Sequence, residues 1–400
     1  MMKRVRLRHV LAAASLLVMP LALADAGDAG LSLRYRAEFV NEDGFDKDAL
    51  ASTVLMRLNY ETQRWNAWHG FVEFDYVAEV GSDNFNSAAG TSSARRSVYP
   101  VVADPNGADL NQVYVQRGLG AGGVLRVGRQ RILLDNQRFV GGVGWRQNEQ
   151  TYDALSVAYP FNESFEGYYA YVNNVNRVFG NDVDAGDNKS NSHLLEGRWK
   201  TAPGTLLVHA YLLDNDDVAV FSTQTVGLAW KGKSRVGGKA VDYRARYARQ
   251  DDRASNPNSY SADYWRLDGG LDISAVRLEL GVEILGAGDD SGGAFGTPLA
   301  TLYAFNGWTD RFLSTPADGL EDRFVSVAGK VGKVGWLVVG HDFTSDRGSV
   351  DYGRELGVSF STKLGAKDEY SVLLRGATFN GKSGFADATK AWLMVSRKVR

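Results

Sequence analysis

Residues 31–39 read LSLRYRAEF, and this stretch decides the fold class. Its odd positions are apolar from Leu31 to Phe39, whereas its even positions are Ser, Arg, Arg and Glu. Because successive side chains of a strand point to opposite faces, such a strand has one apolar face and one charged face. The same alternation recurs in residues 52–60, 241–247, 276–284 and 370–375. The pattern predicts a chain built of amphipathic β-strands.

The composition supports this prediction and excludes several classes of function. Of 400 residues, 45 are Gly, only 8 are Pro and 11% are aromatic, which suits strands joined by tight turns. Basic and acidic residues nearly cancel, 45 against 47, so no overall basic field favours a nucleic-acid partner. The absence of cysteine excludes disulfides, thiolate nucleophiles and Cys-ligated metals, and it suits a chain that crosses an oxidising compartment.

The N-terminus has the pattern of a Sec signal peptide. Basic residues up to Arg8 precede the apolar run 10–23, and Ala22-Leu23-Ala24 forms a small-residue cleavage site. A spanning helix needs about 20 apolar residues, which is more than this run offers, so an uncleaved anchor is the weaker alternative. No cysteine follows the site, which argues against a lipoprotein. We predict that residues 1–24 are removed and that residues 25–400 form one exported domain.

Two architectures give alternating strands: a soluble β-sandwich with one wet face, and an outer-membrane barrel. The alternating segments reach the roughly 9–11 residues of a tilted transmembrane strand, whereas soluble strands average about 5–6. Several apolar faces also end in aromatic residues, among them Tyr60, Trp199 and Trp265, as interfacial girdles do. We therefore predict an all-β protein, a single antiparallel transmembrane β-barrel in the outer membrane of a Gram-negative bacterium. About 18 strands are expected, with 16 the next alternative, and a monomer surrounded by outer-membrane lipid.

The predicted connections fall into two length classes. Short ones are expected at 62–66, 202–204, 231–239 and 365–367, and long polar ones at 81–109, 174–191, 251–259, 286–296 and 380–386. This asymmetry is typical of tight periplasmic turns and longer outer loops. The last strand is expected at about 388–399, although it lacks the usual terminal aromatic residue.

Catalytic, cofactor and metal motifs are weak in this sequence. The residue spacing of Gly118-x-Gly120-x-x-Gly123 matches a dinucleotide-binding fingerprint, which needs a helix after it. Alternating, strand-like segments lie on both sides instead, so a hairpin turn is the better interpretation. The histidines have no metal-ligand spacing, and there is no P-loop or nucleophile elbow. The acidic run 214–217 could bind calcium, yet a solvated loop is the simpler interpretation. We expect no cofactor, no metal and no enzymatic activity, with an outer-membrane barrel enzyme as a remote alternative.

The strongest functional signal is a run of arginines, Arg126, Arg129, Arg131, Arg138 and Arg146, accompanied by only one acidic residue at 135. A guanidinium is a rigid fork of donors for carboxylate or phosphate, so arginines inside a channel can pass an anion from site to site. The candidates for lining the pore are Arg129, Arg131, Arg138, Arg146, Arg34, Arg36, Arg244 and Arg246.

The competing interpretation is that these arginines pair with carboxylates of the lumen and stiffen the wall. By strand alternation, the arginines on inner faces are Arg34, Arg36, Arg57, Arg244, Arg246, Arg266, Arg277 and Arg375. The inner-face carboxylates are Glu38, Glu61, Glu73, Asp75, Glu79, Asp242, Asp268, Asp272, Glu279 and Glu283. The predicted lumen is therefore mixed in charge, and both interpretations stay open.

Two stretches resemble the alginate-export family of outer-membrane β-barrel channels. The first contains GRQ at 128–130, DNQRFVG at 135–141, GWRQN at 144–148 and TYDA at 151–154. The second contains TPLATL at 297–302, FNGWTD at 305–310 and GLED at 319–322. The resemblance implies an 18-stranded monomeric barrel with an arginine-lined path for acidic sugars. It also implies that Arg129, Arg131, Arg138 and Arg146 are pore residues.

The expected function is therefore an outer-membrane channel for the passive passage of hydrophilic, anionic solutes such as acidic sugars or uronate polysaccharide. The alternative within this class is a general or nutrient-specific uptake porin without anion preference. A soluble exported β-protein is a further alternative.

Overall fold

The computed structural model describes residues 27–88, 96–289 and 293–399, and the predicted signal peptide lies outside them. The described chain forms strands β1 to β18. Their bounds are β1 Gly27–Glu42, β2 Ala49–Thr62, β3 Trp68–Asn84, β4 Gly107–Gly118, β5 Val124–Gln130, β6 Thr151–Pro160, β7 Phe165–Asn176, β8 Asp187–Thr201, β9 Gly204–Leu212, β10 Thr223–Val236, β11 Lys239–Asp252, β12 Ser261–Ile273, β13 Val276–Leu285, β14 Leu320–Val331, β15 Val334–Thr344, β16 Asp351–Leu364, β17 Tyr370–Gly381 and β18 Ala388–Val399.

Each strand pairs antiparallel with its neighbours in the sequence, and the first strand also pairs with the last. Leu31 of β1 lies opposite Leu58 of β2 on one side and opposite Val399 of β18 on the other. The sheet is therefore closed, with 18 strands and no free edge. The predicted antiparallel barrel and its strand number are confirmed, as is the predicted last strand.

The alternation read from the sequence is also the alternation of burial. In β1 the side chains of Arg36 and Glu38 are 1% and 0% exposed, whereas Leu33 is 38% exposed. In β12 the outward Trp265 and Leu267 are more than half exposed. The apolar faces point outward to the lipid, and the polar faces point into a lumen that loops fill.

The two ends of the barrel differ as expected. Turns of a few residues join β2 to β3, β4 to β5, β6 to β7 and the later even–odd pairs, at the end where β1 begins and β18 finishes. The hairpin turn predicted at 118–123 is confirmed, because β4 ends at Gly118 and β5 begins at Val124. Within the described residues, the structure has no helix long and apolar enough to cross a membrane.

Three predicted connections are wrong in their extent. The one predicted at 174–191 covers only 177–186, because β7 runs to Asn176 and β8 begins at Asp187. Residues 231–239 are mostly strand, and the turn is only Gly237-Gly238, which adopt φ of 57° and 79°. Left-handed backbone of this kind suits a two-residue hairpin, and glycine adopts it without steric cost. The loop expected at 286–296 runs instead from the end of β13 at Leu285 to Leu320. Its apolar residues Phe295, Leu299 and Phe312 are buried inside the barrel.

Candidate functional site: two loops folded into the lumen

Two outer loops turn inward and meet in the barrel. We call residues 131–150 the first inner loop and residues 293–319 the second inner loop. The Gly141 N–H donates to the Leu299 carbonyl over 2.8 Å, and the Thr301 N–H donates to the Gln137 carbonyl over 3.0 Å. The Thr301 hydroxyl also accepts the Val143 N–H at 3.1 Å. The two loops are thus joined by backbone hydrogen bonds into one unit.

An aromatic cluster holds the first inner loop against the wall. The Phe139 ring lies 5.1 Å from the Tyr264 ring of β12 and 5.8 Å from the Phe295 ring of the second inner loop. It also lies 5.2 Å from the His209 ring of β9. Phe139 is 8% exposed, so its burial contributes on the order of 2 kcal/mol to keeping the loop inside.

The inner loops hold several residues in left-handed backbone. These residues are Asp135, Gln137, Val143, Asn306 and Asp310, with φ between 46° and 63°. The conformation is unusual for any residue with a side chain, and it is most unfavourable for a β-branched one such as Val143. Such strain persists only where surrounding contacts impose it, and it clusters at functional sites.

Arg138 anchors the first inner loop to β13. Its guanidinium donates to Glu283 over 2.7 Å, to Thr297 over 3.0 Å and to Asn306 over 3.0 Å. The side chains of Arg138 and Glu283 are each 1% exposed. This arginine is therefore a buried, fully paired bridge between the wall and both inner loops.

Arg146 joins the first inner loop to β1 and to the second inner loop. It lies 3.1 Å from Glu38 of β1 and 3.1 Å from Asp310 of the second inner loop. Burial by itself would lower the pKa of Arg146, but the charges of Glu38 and Asp310 raise it above its usual value. Lys390 of β18 also binds Asp310 at 2.7 Å.

Glu149 brings two more arginines together at β2 and β3. Arg57 donates to Glu149 over 2.7 Å and to Asp75 over 2.6 Å. Arg131 binds both Glu149 and Glu73. Burial favours a raised pKa for Glu149, but the charges of Arg57 and Arg131 outweigh it and lower the pKa.

Asp135 ties the first inner loop to β10 and β11. Lys231 lies 2.7 Å from one carboxylate oxygen, and Arg246 binds the other. Burial by itself would raise the pKa of Asp135, but the charge of Arg246 and the hydrogen bond and charge of Lys231 lower it to about 2. Arg246 is therefore neutralised within the wall.

On β1, Arg34 and Arg36 donate hydrogen bonds to the first inner loop. Arg34 donates to Gln147 over 2.8 Å and to the Gly144 carbonyl over 2.9 Å. Arg36 donates to the Trp145 carbonyl and lies 2.5 Å from Glu38. Among the described residues, Arg34 has no carboxylate within 4.0 Å, whereas Arg36 has two.

The remaining candidate residues lie on the strands. Arg129 pairs with Asp153 of β6 at 2.7 Å and donates to the Leu110 carbonyl at 3.2 Å. Arg244 has no carboxylate within 4.0 Å in the part of the chain that the structure describes. The same holds for Arg375 of β17, which lies over the Trp308 ring at 4.0 Å.

The structure thus brings Arg34, Arg36, Arg131, Arg138, Arg146 and Arg246 to the two inner loops, and it leaves Arg129 and Arg244 on the strands. Sequence reasoning missed the aromatic side of the site, where Arg375 lies against Trp145 and Trp308 and its Nη1 donates to the Tyr303 hydroxyl over 2.8 Å. The sequence signal for these aromatic residues is a Gly-Trp pair, which occurs at 144–145 and again at 307–308. No group of three metal-ligating side chains is placed to hold an ion within the described residues.

The closed barrel with loops folded into its lumen defines an outer-membrane channel of Gram-negative bacteria. A family model described as "Alginate export" matches residues 26–282, and the chain therefore belongs to the alginate-export family. Comparison with curated proteins finds no significant relative.

Solved structures confirm the fold. OccK9 (OpdG) of Pseudomonas aeruginosa superposes with a TM-score of 0.72 and 12% identity, over 93% of this chain and 98% of that one. OpdK of Pseudomonas aeruginosa, in a structure with vanillate, gives 0.71 and 15%, over 93% and 98%. OccAB4 of Acinetobacter baumannii gives 0.70 and 11%, over 94% and 98%. At these identities, the likeness concerns the fold alone.

Proposed function

We propose that this protein is a monomeric channel for passive passage of hydrophilic anionic solutes, such as acidic sugars or uronate chains. The supporting observation is a group of inner-face arginines that have no carboxylate within 4.0 Å among the described residues, and it includes Arg34, Arg244 and Arg375. All three are partly exposed. Because none of the three forms an ion pair within 4.0 Å, we infer that they add a positive potential to the lumen, where screening is weaker than in bulk water.

A general porin without anion preference is the second candidate. It is favoured by the pairing of Arg129, Arg131, Arg138 and Arg146, each of which lies within 4.0 Å of at least one carboxylate. Locally neutral pairs of this kind stiffen a wall and leave little field for a passing ion. The two candidates therefore differ in the sign of the selectivity that the native channel shows.

Planar-bilayer recordings across a KCl gradient separate the two candidates. We expect the reversal potential to lie closer to the equilibrium potential of chloride than to that of potassium. We also expect acidic oligosaccharides to block the current more strongly than neutral ones. Replacing Arg34 and Arg244 by Gln should move the reversal potential toward potassium, because two uncancelled charges leave the lumen.

The matched control is Arg323→Gln with Arg354→Gln. It removes the same charge from the outer face, where these side chains are 60% and 71% exposed. This control should leave the reversal potential unchanged. A native channel that is non-selective or prefers cations refutes the anion pathway in favour of the general porin.

A further inference from the structure

We propose that a recess at the periplasmic mouth binds multivalent oxyanions, meaning solutes that carry two or more carboxylate or phosphate groups. This site rests on the proposed anion pathway and extends it beyond the inner loops. The recess encloses about 600 Å³ along β14 to β18 and is lined by Lys330, Lys333 and Lys363 together with several serines. We call it the lysine recess.

The position of these residues follows from strand alternation. Glu355 of β16 faces the lumen, because it accepts a hydrogen bond from the second inner loop. Ser359, Ser361 and Lys363 follow it at intervals of two or four residues and therefore lie on the same inner face. Lys333 lies in the turn between β14 and β15, at the end of the barrel that carries the short connections. The recess therefore opens into the lumen at the periplasmic side of the inner loops.

The charge of the recess is positive and mostly uncompensated. Its lining includes one acidic residue, Asp368, whose carboxylate lies 3.9 Å from the Lys333 ammonium. Lys330 and Lys363 have no carboxylate within 4.0 Å in the described chain. A lysine ammonium on a flexible stem can turn its donors to an oxyanion that lies between several such groups.

The shape also suits a solute rather than a packed side chain. Gly335 lies between Lys330 and Ser361 in register, so the floor between the lysine stems carries no side chain there. Ser371 and Ser396 face each other across β17 and β18 and offer hydroxyl donors at the same level. Ammonium and hydroxyl donors around an open floor are a suitable set for carboxylate or phosphate oxygens.

The recess lies apart from the arginines at the inner loops and would be a second binding site along the lumen. Ser371 is four residues along β17 from Arg375, which corresponds to about 13 Å at the usual rise of a strand. A small multivalent anion bound at the recess therefore lies on the periplasmic side of the two inner loops. It would occupy the pathway and reduce the current.

Citrate is the probe, because it carries three carboxylates and is small enough for the recess. We expect citrate to block the current of the native channel more strongly than acetate or glucose, and more strongly from one side of the bilayer. The variant Lys330→Gln, Lys333→Gln, Lys363→Gln should bind citrate about tenfold more weakly, since each exposed charge pair contributes a fraction of a kcal/mol to about 1 kcal/mol.

The control variant is Lys200→Gln, Lys233→Gln, Lys239→Gln. It removes the same charge from the same end of the barrel, but from β8, β10 and β11. It should keep the native affinity for citrate. Heat-modifiable migration on a gel verifies that both variants fold.

Equal loss of citrate block in both variants, or native block no stronger than that by acetate, overturns the site. The reversal potential in KCl, read in the same recordings, tests the proposed function independently. A cation-preferring channel that loses citrate block only in the recess variant would reject the anion pathway while retaining the recess.

Discussion

Arg138 offers the sharpest test of what holds the inner loops in place. The change Arg138→Met keeps an unbranched apolar stem but removes the guanidinium, with its three hydrogen bonds and its charge. Glu283 would then stay buried at 1% exposure without its closest cation. We expect the inner loops to loosen while the barrel itself remains closed, because no strand pairing involves the side chain of this residue.

The expected magnitude follows from the burial of the pair. Removing one partner of a buried ion pair costs about 3–5 kcal/mol. Glu283 keeps Arg266 at 3.5 Å and a hydrogen bond from the Tyr264 hydroxyl, so the lower end of that range applies. We expect the free energy of unfolding to fall by about 3 kcal/mol.

Two measurements test this expectation. Denaturant unfolding of the protein in lipid vesicles, followed by tryptophan fluorescence, gives the change in free energy. Single-channel recording gives the conductance, which should rise and become noisier as the loops leave the lumen. The variant Arg138→Met with Glu283→Gln should recover part of the stability, because no unpaired charge remains buried.

Arg129→Met is the matched control. Its ion pair with Asp153 is partly exposed, with side chains 21% and 33% accessible, so its loss should cost less than about 1 kcal/mol. If Arg138→Met and Arg129→Met destabilise the protein equally, or if Arg138→Met leaves the conductance unchanged, the anchoring role of Arg138 is refuted.

Two further predictions concern the barrel and its response to acid. The closed sheet should remain folded in detergent at high temperature and show heat-modifiable migration on a gel, whereas solubility without detergent or a helical circular dichroism spectrum would contradict the barrel. The pKa of Asp135 is lowered to about 2, so the stabilisation from its ion pairs with Lys231 and Arg246 is fully present above about pH 4, declines below that and is lost as the pH falls through 2. Single-channel noise should therefore increase as the pH falls below about 4. Asp135→Asn should show that noise already at pH 7, and unchanged native noise down to pH 2 would contradict the role of Asp135.

Much of the fold was predictable because strand alternation is a local property. Lipid surrounds the barrel and requires apolar side chains on one face of every strand, so LSLRYRAEF at 31–39 already reports which residues face outward. Backbone groups in lipid must find partners, which requires a closed sheet, and the chain length then sets about 18 strands. The boundaries that were wrong, at 174–191, 231–239 and 286–296, lie at the ends of the barrel, where neither lipid nor a continuous core imposes the pattern.

The inner site was only partly predictable. The sequence predicted that Arg138 and Glu283 face the same lumen. They are 145 residues apart, however, and no local sequence pattern indicates that they form a pair. Likewise, Arg34 and Arg246 both lie on inner faces, yet only Arg246 meets a carboxylate, because the first inner loop carries Asp135 to β11. Composition and alternation by themselves determined the barrel and which face of each strand is apolar and which is polar. Which charges cancel and which remain free was decided only by the tertiary structure, because that depends on where two long loops cross the lumen.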